Sequence, residues 1–177
     1  MAFDAFCYCA TKPKDRHFLG ETQDDFMSKL GAFEIISFEL GAENTINIGS
    51  MSSGGGAGKA TFKEFTITKK TDTASTALFG ALCLGTHFDD VVVELRRSGT
   101  ASRTDQLFMR FTMKMVLVQD ISWSGSDGDD VCEETVIMQY GAIKIEYIPQ
   151  KKDGAHDMGK KSETKWNRVR NLATDDI

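Results

Sequence analysis

Apolar side chains occupy every second position of one stretch, Leu107, Met109, Phe111, Met113, Met115 and Leu117. A period of two places alternate side chains on one face of a strand and is incompatible with a helical stripe. The stretch is read as a strand over residues 105–118, paired with an apolar strand over 91–97 through a turn at Ser98-Gly99. The same periodicity recurs elsewhere. Residues 3–10 read as an opening strand. Residues 33–40 read as a strand with Ile36, Phe38 and Leu40 on a dry face and Ser37 and Glu39 on a wet one. Residues 132–148 read as a long strand whose phase changes at Gly141, with Val136, Met138 and Tyr140 before it and Ile143, Ile145 and Tyr147 after it. A bend or bulge is expected there.

Only residues 71–85 suit a helix. Asp72, Thr73 and Ser75 offer N-cap oxygens, Leu78, Phe79, Leu82 and Cys83 form an apolar face, and Gly85 stands ready for the left-handed terminus. Residues 11–29, with Pro13 and Gly20, read as a loop, as do the acidic residues 121–130. The Gly-, Ser- and Asn-rich residues 41–58 are too polar to hold a core of their own and read as an arm. The chain is therefore expected to be mainly β: one domain over residues 1–150 and a polar tail over 151–177. That tail is expected to be mobile or docked on a partner, with only Trp166, Val169 and Leu172 to anchor it.

A chain of 177 residues, 41% hydrophobic and 27% charged with two prolines, is sized for one domain with a real core. A net charge of -5 argues against nucleic acid and anionic membranes, which draw on clustered Lys and Arg. No apolar run approaches a bilayer span, and Met1-Ala2-Phe3-Asp4 carries an acid instead of the basic start of a signal peptide, so synthesis in a cytoplasm is expected. The four cysteines, Cys7, Cys9, Cys83 and Cys132, are read as small buried hydrophobes kept reduced.

Motifs that would carry chemistry fail one by one. Gly54-Gly55-Gly56-Ala57-Gly58-Lys59 lacks the first P-loop glycine, where Ser53 stands, and its hydroxyl, where Ala60 stands, and it leads into a strand. Asp127-Gly128-Asp129-Asp130 would need a chelating Glu where Met138 stands, and reads as a hairpin tip. Trp123-Ser124-Gly125-Ser126 is not a nucleophile elbow, Glu133 and Glu134 point to opposite faces, and His17, His87 and His156 are scattered. No catalytic, cofactor or metal residues are assigned. A monomeric barrel for a small ligand or metal is the alternative to a structural role.

Taken together, several motifs resemble one family. Ala2-Phe3-Asp4-Ala5-Phe6 looks like its opening strand and Ile36-Ser37-Phe38-Glu39-Leu40-Gly41 is similar to its second. Residues 54–59 followed by Phe65-Thr66-Ile67-Thr68-Lys69-Lys70-Thr71-Asp72 resemble its most recognisable stretch. Leu95-Arg96-Arg97-Ser98-Gly99, the strand from Glu134-Thr135-Val136 through Tyr147-Ile148-Pro149-Gln150-Lys151, and the tail Trp166-Asn167 complete the likeness. The family is Hcp, the haemolysin-coregulated tube protein of the bacterial type VI secretion system. Departures are Lys165 before the tail tryptophan, where a glycine is usual, and Cys7 and Cys9 in the first strand.

The resemblance implies a compact barrel of two packed antiparallel sheets with one helix. It also implies homohexameric rings stacked into a tube inside a contractile sheath, topped by a spike protein and secreted without a signal peptide with small effectors in the lumen. In that setting Ser37 and Glu39 are expected to face the lumen. Gly49, Ser50, Met51, Ser52, Ser53, Gly54, Gly55 and Gly56 are expected to form an arm that docks on the next ring.

Overall fold

The computed structural model describes residues 3–11, 17–47, 56–97 and 106–177. Among these, the chain runs through β1 (Phe3–Tyr8), β2 (Phe33–Glu34), β3 (Ser37–Glu39), β4 (Ala42–Asn47), β5 (Gly56–Phe62), β6 (Phe65–Lys70), α1 (Thr73–Leu84), β7 (His87–Arg97), β8 (Leu107–Ser124), β9 (Glu133–Tyr147) and β10 (Ser162–Asn167). Eight strands make one antiparallel sheet in the order β2-β1-β7-β8-β9-β6-β3, with β10 also laid on β9. The two ends of that path, β2 and β3, are consecutive pieces of one stretch of chain. The Ile35 N–H donates to Ala5 O on β1 and the Ile36 N–H donates to Thr68 O on β6, each at 2.8 Å. One crossing segment thus ties the first edge to the last, and the curled sheet closes into a barrel.

This crossing corrects the reading of residues 33–40. The chain leaves β1 and joins β6 between β2 and β3, and the alternation skips a step there: Ile35 is buried, Ile36 and Ser37 are both exposed, and Phe38 and Leu40 are half-buried against the core. Phe38 meets Phe111 at 5.9 Å between ring centres, across the barrel from its own strand pairing. The core gathers Cys7, Phe33, Phe65, Ile67, Leu78, Val91, Val93, Phe111, Met113, Val136 and Met138.

The expected change of phase on β9 is present, and β8 shares it. Core residues of β9 are Val136, Met138 and Tyr140 before Gly141 and Ile143 after it. On β8 they are Phe111 and Met113, then Val116 and Val118, so Met115 and Leu117 leave the face that alternation assigned them. Pairing stays in step, with Lys114 opposite Ala142 and Val116 opposite Tyr140. Met115 stands level with Gly141 between those pairs and absorbs the change with φ of 52°, a conformation that costs a side-chain-bearing residue about 1–2 kcal/mol.

Helix α1 begins where its caps predict. The Asp72 carboxylate accepts the Ala74 N–H, Ser75 Oγ accepts the Asp72 N–H, and Gly85 ends the helix at φ of 63°. Its buried face is Ala74, Leu78 and Ala81; Phe79 and Cys83, assigned to the apolar face, are exposed. Phe79 instead packs on Trp123 at 5.6 Å. The cysteines divide likewise: Cys7 and Cys9 are buried, whereas Cys83 and Cys132 are exposed. Burial pushes the Cys7 thiol well up.

Three polar segments hold more order than their composition suggests. Residues 17–31 cover β1 and β7: Phe18 stacks on Phe33 and Phe88, and Met27 packs with Phe6, Tyr8 and Val92. Residues 121–124, read as loop, extend β8, and the acidic tip that follows turns through Gly128 at φ of 100°. Within the tail, β10 pairs with β9. Trp166 is half-buried and Asn167 buried, while Val169 and Leu172 are exposed.

Candidate assembly surfaces

Ser37 and Glu39 lie on β3, opposite Thr68 and Thr66 of β6, and both are exposed. They are held by the closing segment of the barrel, so their direction follows from Phe38 packing inward between them. The arm is reached through β4 and β5, which among the described residues pair with each other as a two-stranded sheet separate from the barrel sheet. Of the arm residues, Gly56 opens β5; Gly49, Ser50, Met51, Ser52, Ser53, Gly54 and Gly55 lie outside the described residues. Since residues 56–62 form a strand, the run ending in Lys59 opens no phosphate-binding helix.

The end of β6 and the start of α1 are fixed by a buried polar hub that composition does not announce. Fully buried Lys69 sends its ammonium to Glu134 Oε1 at 2.9 Å, Asp72 Oδ1 at 2.7 Å, Ser75 Oγ at 3.2 Å and Lys70 O at 2.7 Å. Glu134 also accepts from Ser75 Oγ at 2.8 Å and from Trp123 Nε1 at 2.7 Å. The hub joins β6, α1, β8 and β9, and every charge in it has hydrogen-bonded partners, the condition under which a buried ion pair is tolerated. Phe65, Ile67 and Lys69 share the inward face of β6, so period two placed Lys69 inside, and Asp72 three residues on supplied its counter-charge.

A second polar array crosses five strands on the face of β7 opposite the main core. Tyr8 donates to Glu94 Oε1 at 2.9 Å, and Arg110 donates to the same oxygen through two nitrogens at 3.0 and 2.8 Å. Arg110 continues to Glu146 at 3.8 Å, which Lys161 and Lys144 reach at 2.8 and 3.2 Å; both lysines extend to Glu163. Burial, and then the Glu94 carboxylate, hold the Tyr8 phenol far above its ordinary range. For Glu146 burial acts upward, but the hydrogen bonds from Lys161 and Lys144 outweigh it and hold the carboxyl below its usual value.

This fold is similar to those of solved type VI secretion proteins. One such structure superposes with a TM-score of 0.80 at 28% identity, covering 98% of this chain and 100% of that one. Hcp1 from Salmonella typhimurium shares the fold with a TM-score of 0.70 at 23% identity, over 98% and 100% of the two chains. Protein hcp1 of Pseudomonas aeruginosa is 32% identical over 101 residues, a match spanning 57% of this chain and 61% of that relative's length. The model of the family described as type VI secretion system effector, Hcp, matches residues 12–147, and the chain belongs to that family.

Proposed function

We propose that the chain is a subunit of the inner tube of a type VI secretion system. It forms hexameric rings that stack within a contractile sheath behind a spike protein, leave the bacterial cytoplasm without a signal peptide, and carry small effectors in the lumen. Beside family membership, the observation that carries this reading is the β4–β5 hairpin. It is a two-stranded sheet with no third strand from the described chain, resting on the barrel through Phe62 at its base, and a hairpin so little covered is at best marginal in water, so a neighbouring subunit is the natural source of further packing. In this arrangement residues 49–56 form the ring-stacking arm, Ser37 and Glu39 line the lumen, and the role is structural with no catalytic step. Ring closure needs only a heterologous contact whose rotation closes.

Deleting residues 50–56 tests the arm. Intact rings that no longer stack, with the subunit's unfolding midpoint nearly unchanged, are expected, since surface loops contribute little to fold stability. Unfolding of the subunit, or stacking as in the unaltered protein, would contradict the assignment.

A further inference from the structure

Helix α1 exposes one face to solvent yet carries no charged side chain in its twelve residues. A surface helix normally sets charged and polar residues opposite its buried face. Here the stripe turned from the core is Thr73, Thr76, Phe79, Gly80 and Cys83, at the three- and four-residue spacing of one helix face. Both hydroxyls are turned back on the chain: Thr73 Oγ1 donates to Leu19 O at 2.7 Å and Thr76 Oγ1 to Thr73 O at 3.1 Å. Trp123 extends the apolar surface, exposed like Phe79 and stacked on it at 5.6 Å, with its indole fixed by the bond to Glu134. Gly80 adjoins this pair. Glycine in a helix interior is disfavoured against alanine, and no described atom lies within 4 Å of where a Cβ on Gly80 would stand. The subunit itself gives no reason for the missing side chain; a close approach from outside does.

We propose that this face of α1 seats an amphipathic helix of another protein, crossing close over Gly80, with apolar residues on Phe79 and Trp123 and Lys or Arg side chains toward the acidic turn that follows β8. Two observations select that occupant. The first is shape. A notch at Gly80, bordered by Thr76 and Cys83 and walled by Phe79, takes the ridge of a second helix. The second is charge. No Lys or Arg occurs between residues 115 and 143, where Asp120, Asp127, Asp129, Asp130, Glu133 and Glu134 stand. Trp123 leads directly into the turn that holds Asp127, Asp129 and Asp130, and the Thr71 N–H donates to Cys132 O at 2.9 Å, which sets that turn beside the N-terminal end of α1. Of the neighbouring lysines, Lys69 is bound to Glu134 and Asp72, and Lys70 stands opposite Glu133, so the three aspartates of the turn remain in surplus. The aromatic pair would supply the contact area and the aspartates the preference for a basic partner.

The test uses the assembled full-length protein and three probes: a helical Leu/Lys peptide with leucines along one face, its Leu/Glu counterpart, and the Leu/Lys peptide broken by a central proline. Affinity is read by titration and location by hydroxyl-radical labelling of Phe79 and Trp123. The Leu/Lys peptide is expected to bind, to shield both rings, and to be preferred over the Leu/Glu peptide by about tenfold. The proline peptide should not bind. Gly80→Leu should weaken binding at least about tenfold while leaving the unfolding midpoint unchanged or raised, because the added side chain enters open space and leucine favours the helix. Asp127→Asn together with Asp130→Asn should narrow the charge preference severalfold. A lowered midpoint in Gly80→Leu, with binding retained, would show that the notch serves the subunit alone and would overturn the proposal. So would equal binding of the Leu/Lys and Leu/Glu peptides, binding by the proline peptide, or shielding confined to other side chains. Rings of Phe79 and Trp123 already shielded in the peptide-free assembly, with no peptide binding, would mean that a second copy covers the face and would overturn it as well.

Discussion

Lys69 and Glu134 make the sharpest case at the scale of single residues. Removing one partner strands a buried charge. Lys69→Met is therefore expected to cost about 3–5 kcal/mol in denaturant unfolding, whereas pairing it with Glu134→Leu should recover much of that loss. Equal costs for the single and double variants would show that the ion pair is not what the hub depends on. Gly20 is a second single-residue constraint. A Cβ there would lie 2.6 Å from Ala32 C and O and from Phe33 Cβ, atoms held by the barrel wall, so Gly20→Ala should destabilise by at least about 1–3 kcal/mol and loosen residues 17–31 first. Protease sensitivity confined to that segment, ahead of global unfolding, is the expected sign. Gly141 contrasts with it, because its nearest atoms belong to the flexible ends of Met115 and Ile177 as well as Met115 Cβ. Phe38, on the dry face but half-buried, should tolerate Phe38→Ala at less than the roughly 3–5 kcal/mol of a fully buried ring.

Among elements, the ones legible in the sequence are those whose signal is local. The helix was marked by Asp72, Ser75 and Gly85, and the hairpin of β7 and β8 by alternation around Ser98-Gly99. What escaped depends on partners distant in sequence. The phase change at Met115 lies across from the one at Gly141 on β9, and the break at Ile36 and Ser37 falls where the chain leaves β1 for β6. Polarity hid β10, whose order comes from β9. The charge array across β1, β7, β8, β9 and β10 gives these elements a pH response. With its folded pKa depressed by Lys161 and Lys144, Glu146 adds stability above its unfolded pKa near 4.5, lost as pH falls through the lower folded value. Lys161, whose pKa is raised chiefly by its hydrogen bond to Glu146, adds stability below its unfolded pKa near 10.5, lost as pH rises through the higher folded value. Glu146→Gln should thus lower the melting temperature at neutral pH and flatten its fall below about pH 4.5; an unchanged acid limb would count against the array.

For the whole molecule, the sheet closes on itself, and the proposed assembly rests on the β4–β5 hairpin and the exposed β3 face. If Glu39 lines a channel, ring symmetry repeats it as a band of carboxylates. The field of that band reaches about 8 Å at physiological ionic strength, enough for cargo lying against the wall. A basic lumen-sized protein should then be retained better than an acidic one, and Glu39→Gln or high salt should erase the difference. Family and barrel were within reach of the sequence because their motifs are spread along the chain, while the lumen face and the arm depend on subunits that one chain does not contain. The central claim is that this chain closes into rings. Negative-stain microscopy of the purified protein, with mass measured in solution on the same sample, tests it most directly: the account predicts six-fold rings, some stacked end to end, and a monomer persisting at every concentration would contradict it.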